Sequence, residues 1–354
     1  MKIRKLLGMM VIAIFAVGFL VACDSDESTE NGDTDISEDA NGGSEAGAHA
    51  FVFKNTGNPF GERMQDGFQE VIEAHGGEAI LRSPEQPTVE GQIQIIEQLM
   101  AQDVASITIA GNDFDALQPV LERAMDQGIY VISADSAVNP DSRMVHINQA
   151  NAERIGQVLI SGMSEMLGGE GQFAILSATS QAANQNLWIE YMQAQLELPE
   201  FAGLELVTIA FGDDLRDVSV SETEALLLSY PDLRGIIAPT TVGIAAASLV
   251  ITDQDLIGEV YITGLGLPSE MAAFVNNGAS PWMYLWNPIE VGNVAAYTVL
   301  SLTDGEITGS IGDSFEAGDF GTLEVIEDGD GTQIMLGDPF RFDADNIDEW
   351  AEVY

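Results

Sequence analysis

The stretch Phe51-Val-Phe-Lys-Asn-Thr-Gly-Asn-Pro-Phe60 sets an apolar run against polar, turn-forming residues, and the chain after it repeats that contrast. Phe51 to Phe53 reads as a strand. Gly61 to His75 reads as a helix, with Met64, Phe68, Val71 and Ile72 on one face. A strand at Ala79-Ile-Leu81 follows, then a helix from Val89 to Gln102 with Ile93, Ile96, Leu99 and Met100 inward. Ile107-Thr-Ile109, a helix from Phe114 to Gln127 and Ile129-Tyr-Val-Ile132 continue the series. Such alternation specifies a parallel sheet covered by helices on both faces.

After Val145-His-Ile147 the pattern restarts, with a helix from Ala152 to Leu167 and a strand at Phe173-Ala-Ile-Leu176. Strands at Leu206-Val-Thr-Ile209, Ile236-Ile237 and Val260-Tyr-Ile-Thr263 alternate with helices as far as Met271–Asn276. The fold class expected is therefore α/β, with two doubly wound parallel-sheet lobes joined by a hinge. A ligand cleft lies between them, at the carboxyl ends of both sheets. The first lobe is expected to take residues 50–148 plus about 287–312. The second takes 149–286 plus about 313–354, where hairpins and a short helix cross back between the lobes.

The amino terminus differs in kind. Met1 to Lys5 is a short basic region, and Leu6 to Ala22 is an apolar run that suits a signal peptide better than a membrane span. It closes in Leu20-Val21-Ala22-Cys23. Leu-x-Ala-Cys at that place looks like a bacterial lipobox, so residues 1–22 are expected to be a lipoprotein signal peptide and Cys23 the lipidated residue. The protein is then exported and held by lipid on the outer face of the cytoplasmic membrane. Residues 23–49 carry many acids with Ser, Gly, Asn and Thr, and are expected to form an extended, disordered tether.

Length and charge bound the function. The 354 residues allow about two domains. Asp and Glu number 57 against 12 Lys and Arg, a net charge of −45, so nucleic acid is not expected as a partner. Without the nine acids of 24–50 and the three cations of the first five residues, 48 acids still face nine Lys and Arg. An acidic, lysine-poor surface of this kind is expected to need molar salt to screen its self-repulsion. A melting temperature unchanged between low salt and about 3 M NaCl would remove that expectation.

Enzyme chemistry finds little support. With Lys2 and Lys5 at the start, Lys54 is the one lysine downstream, which excludes a phosphate-binding Gly-Lys-Ser/Thr loop. One cysteine excludes intrachain disulfides, structural zinc and dithiol chemistry. His49, His75 and His146 fall in the tether, on a helix and in a strand, away from any nucleophile motif, and no Gly-x-Ser-x-Gly elbow exists. Gly264-Leu-Gly266 lacks the third glycine of a dinucleotide site. Asp328-Gly-Asp330-Gly331 reads as a β-turn, because the twelfth position of a calcium loop is Pro339. Neither metal nor cofactor is expected.

Polar residues at strand ends are more telling. Lys54 and Asn55 follow the first strand, Asp135 follows Ile132, Asn184-Gln185-Asn186 comes after Leu176, Thr240-Thr241 after Ile237, and Trp286-Asn287 ends another apolar run. All of these face the cleft in a doubly wound pair. Amides, a carboxylate and one ammonium form paired hydrogen bonds with the vicinal hydroxyls of a polyol. Trp188 or Trp286 is placed to cover an apolar sugar face.

From Phe51 to about Tyr354 the chain resembles the type I periplasmic binding proteins of ABC sugar importers, within the branch of rhamnose-binding proteins and autoinducer-2 receptors. Phe53-Lys-Asn-Thr-Gly-Asn-Pro-Phe60, Gly171-Gln-Phe-Ala-Ile-Leu-Ser-Ala-Thr179 and Asn184-Gln-Asn-Leu-Trp188 carry the resemblance. So do Ala238-Pro-Thr-Thr-Val-Gly-Ile-Ala245, Thr263-Gly-Leu-Gly-Leu-Pro268 and Leu285-Trp-Asn-Pro288. The resemblance implies that Lys54, Asp135, Asn184, Gln185, Pro239 and Thr241 line a ligand pocket. It implies a monomer that delivers its ligand to ABC permease subunits. Autoinducer-2 receptors usually have Asp and Ala where this chain has Asn184 and Thr241, which resembles the rhamnose branch more. Relatives often show Trp-Asp-Ser-Asp in place of Ala134-Asp135-Ser136-Ala137, and the smaller residues here widen that corner. The ligand expected is rhamnose or a similar deoxy sugar. Autoinducer-2 uptake, or a sugar sensor feeding a membrane kinase, remain the alternatives.

Overall fold

The computed structural model describes residues 47–354. The expected signal peptide, Cys23 and nearly all of the tether lie outside the described residues.

The first lobe is built on β1 (Ala48–Val52), α1 (Pro59–Ala74), β2 (Glu78–Arg82), α2 (Val89–Ala101), β3 (Ser106–Ile109), α3 (Gln118–Asp126), β4 (Tyr130–Ala134) and β5 (His146–Asn148). Its strands run parallel in the order β2-β1-β3-β4-β5. Asn58 starts α1: its Oδ1 accepts from the Phe60 and Gly61 amides, and Pro59 sits where its missing N–H costs nothing.

The second lobe holds α4 (Ala152–Leu167), β6 (Gly171–Ser177), α5 (Ala183–Leu196), β7 (Leu204–Phe211), α6 (Arg216–Ser229), β8 (Leu233–Ala238), α7 (Thr241–Asp253), β9 (Tyr261–Gly264), α8 (Pro268–Asn277) and β10 (Trp282–Leu285). Its sheet runs parallel in the order β7-β6-β8-β9, and a bridge from Leu265 to Tyr284 adds β10 at the edge. Gly264, at φ 155°, ends β9 where a Cβ would lie 1.9 Å from the Ala238 carbonyl oxygen. That glycine serves close strand packing, not phosphate binding.

The chain then returns to the first lobe with α9 (Pro288–Thr303), which lies against α1. A Cβ on Gly292 would meet the Met64 carbonyl oxygen at 1.9 Å, so the two helix backbones approach as only glycine allows. β11 (Ser314–Glu316) pairs with β12 (Thr322–Glu324), and β13 (Ile326–Asp328) with β14 (Gly331–Met335). Finally β15 (Phe340–Asp343) pairs with β10, and α10 (Ile347–Trp350) packs on α8.

Three expectations change and one holds. The segment from 313 to 335 belongs to the first lobe, because β14 pairs in parallel with β5 and covers an otherwise open edge. Only 340–354 joins the second. His49 lies inside β1, buried and hydrogen-bonded through Nδ1 to Ser106 Oγ at 2.9 Å, so the fold begins before residue 50. Helix α3 starts at Gln118, not Phe114, because Asp113 Oδ1 accepts from the Asp115 and Ala116 amides and holds a turn there. The β-turn reading of 328–331 does hold: Asp328 and Gly331 are paired across a two-residue hairpin, with Gly329 at φ 57°.

Three chain crossings join the lobes, at 149–151, 286–287 and 336–339. The first and third are tied together, since the Leu336 amide donates to the Asn148 carbonyl and the Asn151 amide to that of Gly337.

Candidate ligand-binding cleft

Strand ends from both lobes converge on one buried pocket. Lys54 follows β1 and Asp135 follows β4, each about 5% exposed. Asp135 has φ 63°, a left-handed conformation that aspartate tolerates better than most residues and that turns its carboxylate into the cleft. From the second lobe come Gln185 in the first turn of α5, Pro239 and Thr240 after β8, and Thr241 opening α7.

The two walls bond directly. Lys54 Nζ donates to Asn184 Oδ1 at 3.1 Å and Gln185 Oε1 at 3.5 Å, and lies 3.6 Å from Asp135 Oδ2. Asn184 Nδ2 donates to Asp135 Oδ2 at 3.2 Å, and Ser136 Oγ to Asn184 Oδ1 at 3.4 Å. Only about 30 Å³ remains inside this pocket, room for about two water molecules. The lobes are thus closed on their own hydrogen bonds.

Strand-end reasoning missed Asp214. It follows β7 at φ 54°, is 8% exposed and lines the same pocket. Thr240 Oγ1 donates to its Oδ1, and Asn58 Nδ2 reaches its Oδ2 across the cleft at 3.5 Å. The signal was available: Gly212-Asp213-Asp214 comes directly after the strand β7, which ends at Phe211. The pocket therefore holds two carboxylates and one ammonium. Burial raises the Asp135 carboxyl above its ordinary range, with the Lys54 charge opposing. Burial likewise raises Asp214, and Lys54 opposes that too.

Aromatic rings close the rest. Trp286 lies edge-on to Trp188 at 5.7 Å and to Phe60 at 6.2 Å, and Phe53, Leu265 and Leu285 complete the apolar wall. Three expected residues do not converge here: Asn186 donates through Nδ2 to the Ser180 carbonyl and lines a neighbouring space. Asn55 Nδ2 donates to the neighbouring Thr56 carbonyl, and its side chain lines a separate hollow with Gln65 and Arg82. Asn287 caps α9 by accepting from the Ile289 amide.

Two hinged parallel-sheet lobes that close on a buried, hydroxyl-matching pocket define a cleft receptor for a small polar solute. The periplasmic binding protein domain model matches residues 49–307, and the chain belongs to that family. It is a type I periplasmic binding protein of sugar ABC importers, an extracytoplasmic transport component and not an enzyme. An ABC transporter solute-binding protein from Clostridium phytofermentas, solved with bound L-rhamnose, is 44% identical, with a TM-score of 0.85 over 87% of this chain and 99% of that one. LsrB from Clostridium saccharobutylicum, in complex with AI-2, shares the fold at 21% identity, with a TM-score of 0.81 over 86% of this chain and 99% of its own. The D-ribose/D-allose-binding protein of Pseudomonas aeruginosa is 24% identical over 61% of this chain and 69% of that protein.

Proposed function

We propose that this protein is a lipid-anchored receptor that captures L-rhamnose, or a closely similar deoxy sugar, between its lobes and delivers it to an ABC permease. The observation that carries the reading is the two-sided chemistry of the pocket. Asp135, Asp214, Lys54 and Gln185 offer acceptors and donors to vicinal hydroxyls, while Trp188, Trp286 and Phe60 face them with an apolar wall that suits a ring bearing a methyl group. Asn184 and Thr241, and the L-rhamnose bound by the 44% identical relative, support the same choice.

Capture needs contacts from both walls. The sugar favours the closed state only by the contacts it makes there and not in the open one. The closed form docks on the permease as a monomer, and Cys23 carries the anchor. Loss of fatty-acid labelling in Cys23→Ser, with export retained, tests the anchor.

A thermal-shift panel in high salt tests the ligand, comparing L-rhamnose, other deoxyhexoses, pentoses and the autoinducer-2 precursor. Ligand at about 100 times its dissociation constant adds about 2.7 kcal/mol, a shift of several degrees. A shift with L-rhamnose and not with the precursor supports the proposal. The reverse would move the protein to signal uptake.

A further inference from the structure

A second chamber of about 580 Å³ adjoins the first pocket. Asp135 and Trp188 line both spaces, and Asn184 faces the chamber while its amide holds Asp135, so this trio is the partition. The chamber has buried polar walls. Gln149, on the first crossing, is 2% exposed, and Asn139, Asn148 and Asn186 add amides to the lining. His146 is 5% exposed and kept neutral by burial. Phe114 and Leu187 bring apolar surface from opposite lobes, and Ala137 keeps the corner beside Asp135 open.

Charge limits what fits. Arg143 is spent on Asp328 at 2.9 Å and on the Val138 and Thr332 carbonyls, which leaves Asp141, Glu190 and Asp330 around the chamber. Phosphate, sulfate and uronate substituents are repelled. Among the described residues no cluster of His, Cys, Asp or Glu is arranged to hold a metal ion. A neutral, hydroxyl-rich unit with one apolar face meets the Asn148 and Asn186 amides and covers Phe114 and Leu187.

We infer that the chamber is a second subsite, taking the neutral sugar or small aglycone of a rhamnose glycoside whose terminal ring lies in the first pocket. The inference rests on the sugar reading above. A hydroxyl at the partition, accepting from Asn184 Nδ2 and donating to Asp135, replaces their direct hydrogen bond and joins the two spaces.

Titration calorimetry on the full chain in high salt tests it, with L-rhamnose and an α-linked L-rhamnose disaccharide as probes. The wild type is expected to bind the disaccharide at least as tightly as the monosaccharide. Phe114→Ala strips apolar surface from the first-lobe wall of the chamber, at an exposed position outside the first pocket. Leu187→Trp fills the chamber from an exposed site on α5, where folding is not at risk. Each is expected to weaken the disaccharide by about tenfold or more and to leave L-rhamnose within about twofold. Binding of L-rhamnose with rejection of the disaccharide, or equal effects of the variants on both probes, would overturn the subsite and leave the sugar reading standing. If neither probe binds while another monosaccharide does, both fall together.

Discussion

The two walls of the cleft solve the same problem with different chemistry. The first lobe brings opposite charges, Lys54 and Asp135, on the ends of β1 and β4. The second answers mainly with neutral groups, Asn184, Gln185 and Thr240, and adds one carboxylate, Asp214. Both aspartates sit at strand ends with left-handed backbones, φ 63° and 54°. Their support differs: Asp214 is bonded within its own lobe by Thr240, whereas the Lys54 ammonium, 3.6 Å from Asp135 in its own lobe, finds its two amide acceptors across the cleft. Satisfying the lysine and closing the lobes are therefore one event. A buried ammonium left without acceptors costs free energy, and this couples ligand geometry to hinge position.

The sharpest way to break this comparison is to remove its one cation. Lys54→Met leaves Asp135 and Asp214 buried together without a counter-charge, and is expected to cost about 3–5 kcal/mol of sugar binding, read by titration calorimetry. Near-normal affinity would show that the lysine is a bystander.

A smaller effect separates the lobes themselves. All three histidines lie in the first lobe, and burial lowers the pKa of His49 and takes that of His146 to about 3. In the unfolded chain His146 titrates near 6.5. Protons then bind the unfolded form first, and stability is lost as pH falls below 6.5 until the folded pKa is reached. The expected slope is about 1.4 kcal/mol per pH unit for His146 alone. Hydrogen exchange should show the first lobe loosening before the second between pH 6.5 and pH 4, and His146→Gln should remove most of the difference. Equal loosening of both lobes would contradict the assignment. At the small end, Asn55→Ala should change sugar affinity by less than about 0.5 kcal/mol, because its side chain is turned out of the cleft.

Much of this was legible in the residues. Alternating apolar runs give the two lobes because a parallel strand buried on both faces reads as an unbroken apolar segment. Lys54, Asp135, Gln185 and Thr241 stand out by following such runs, and the rule that ligands meet strand carboxyl ends does the rest. The destination of β14 was not legible, since Gln333-Ile334-Met335 has the same pattern whichever sheet edge it covers. Asn55 misled for a related reason: adjacent residues after a strand point in different directions, and Lys54 takes the inward one. Asp214 was missed beside an exposed Asp213, although its partner Thr240 lay within the pocket stretch already singled out.

The central claim is that one small sugar is gripped from both lobes at once. Titration of L-rhamnose into Asp135→Ala, altered in the first wall, and Gln185→Ala, altered in the second, tests it most directly. Each variant leaves ligand hydroxyls and buried partners unpaired, so a loss of about 2–4 kcal/mol is expected from either side. Near-normal affinity in both variants would contradict the account.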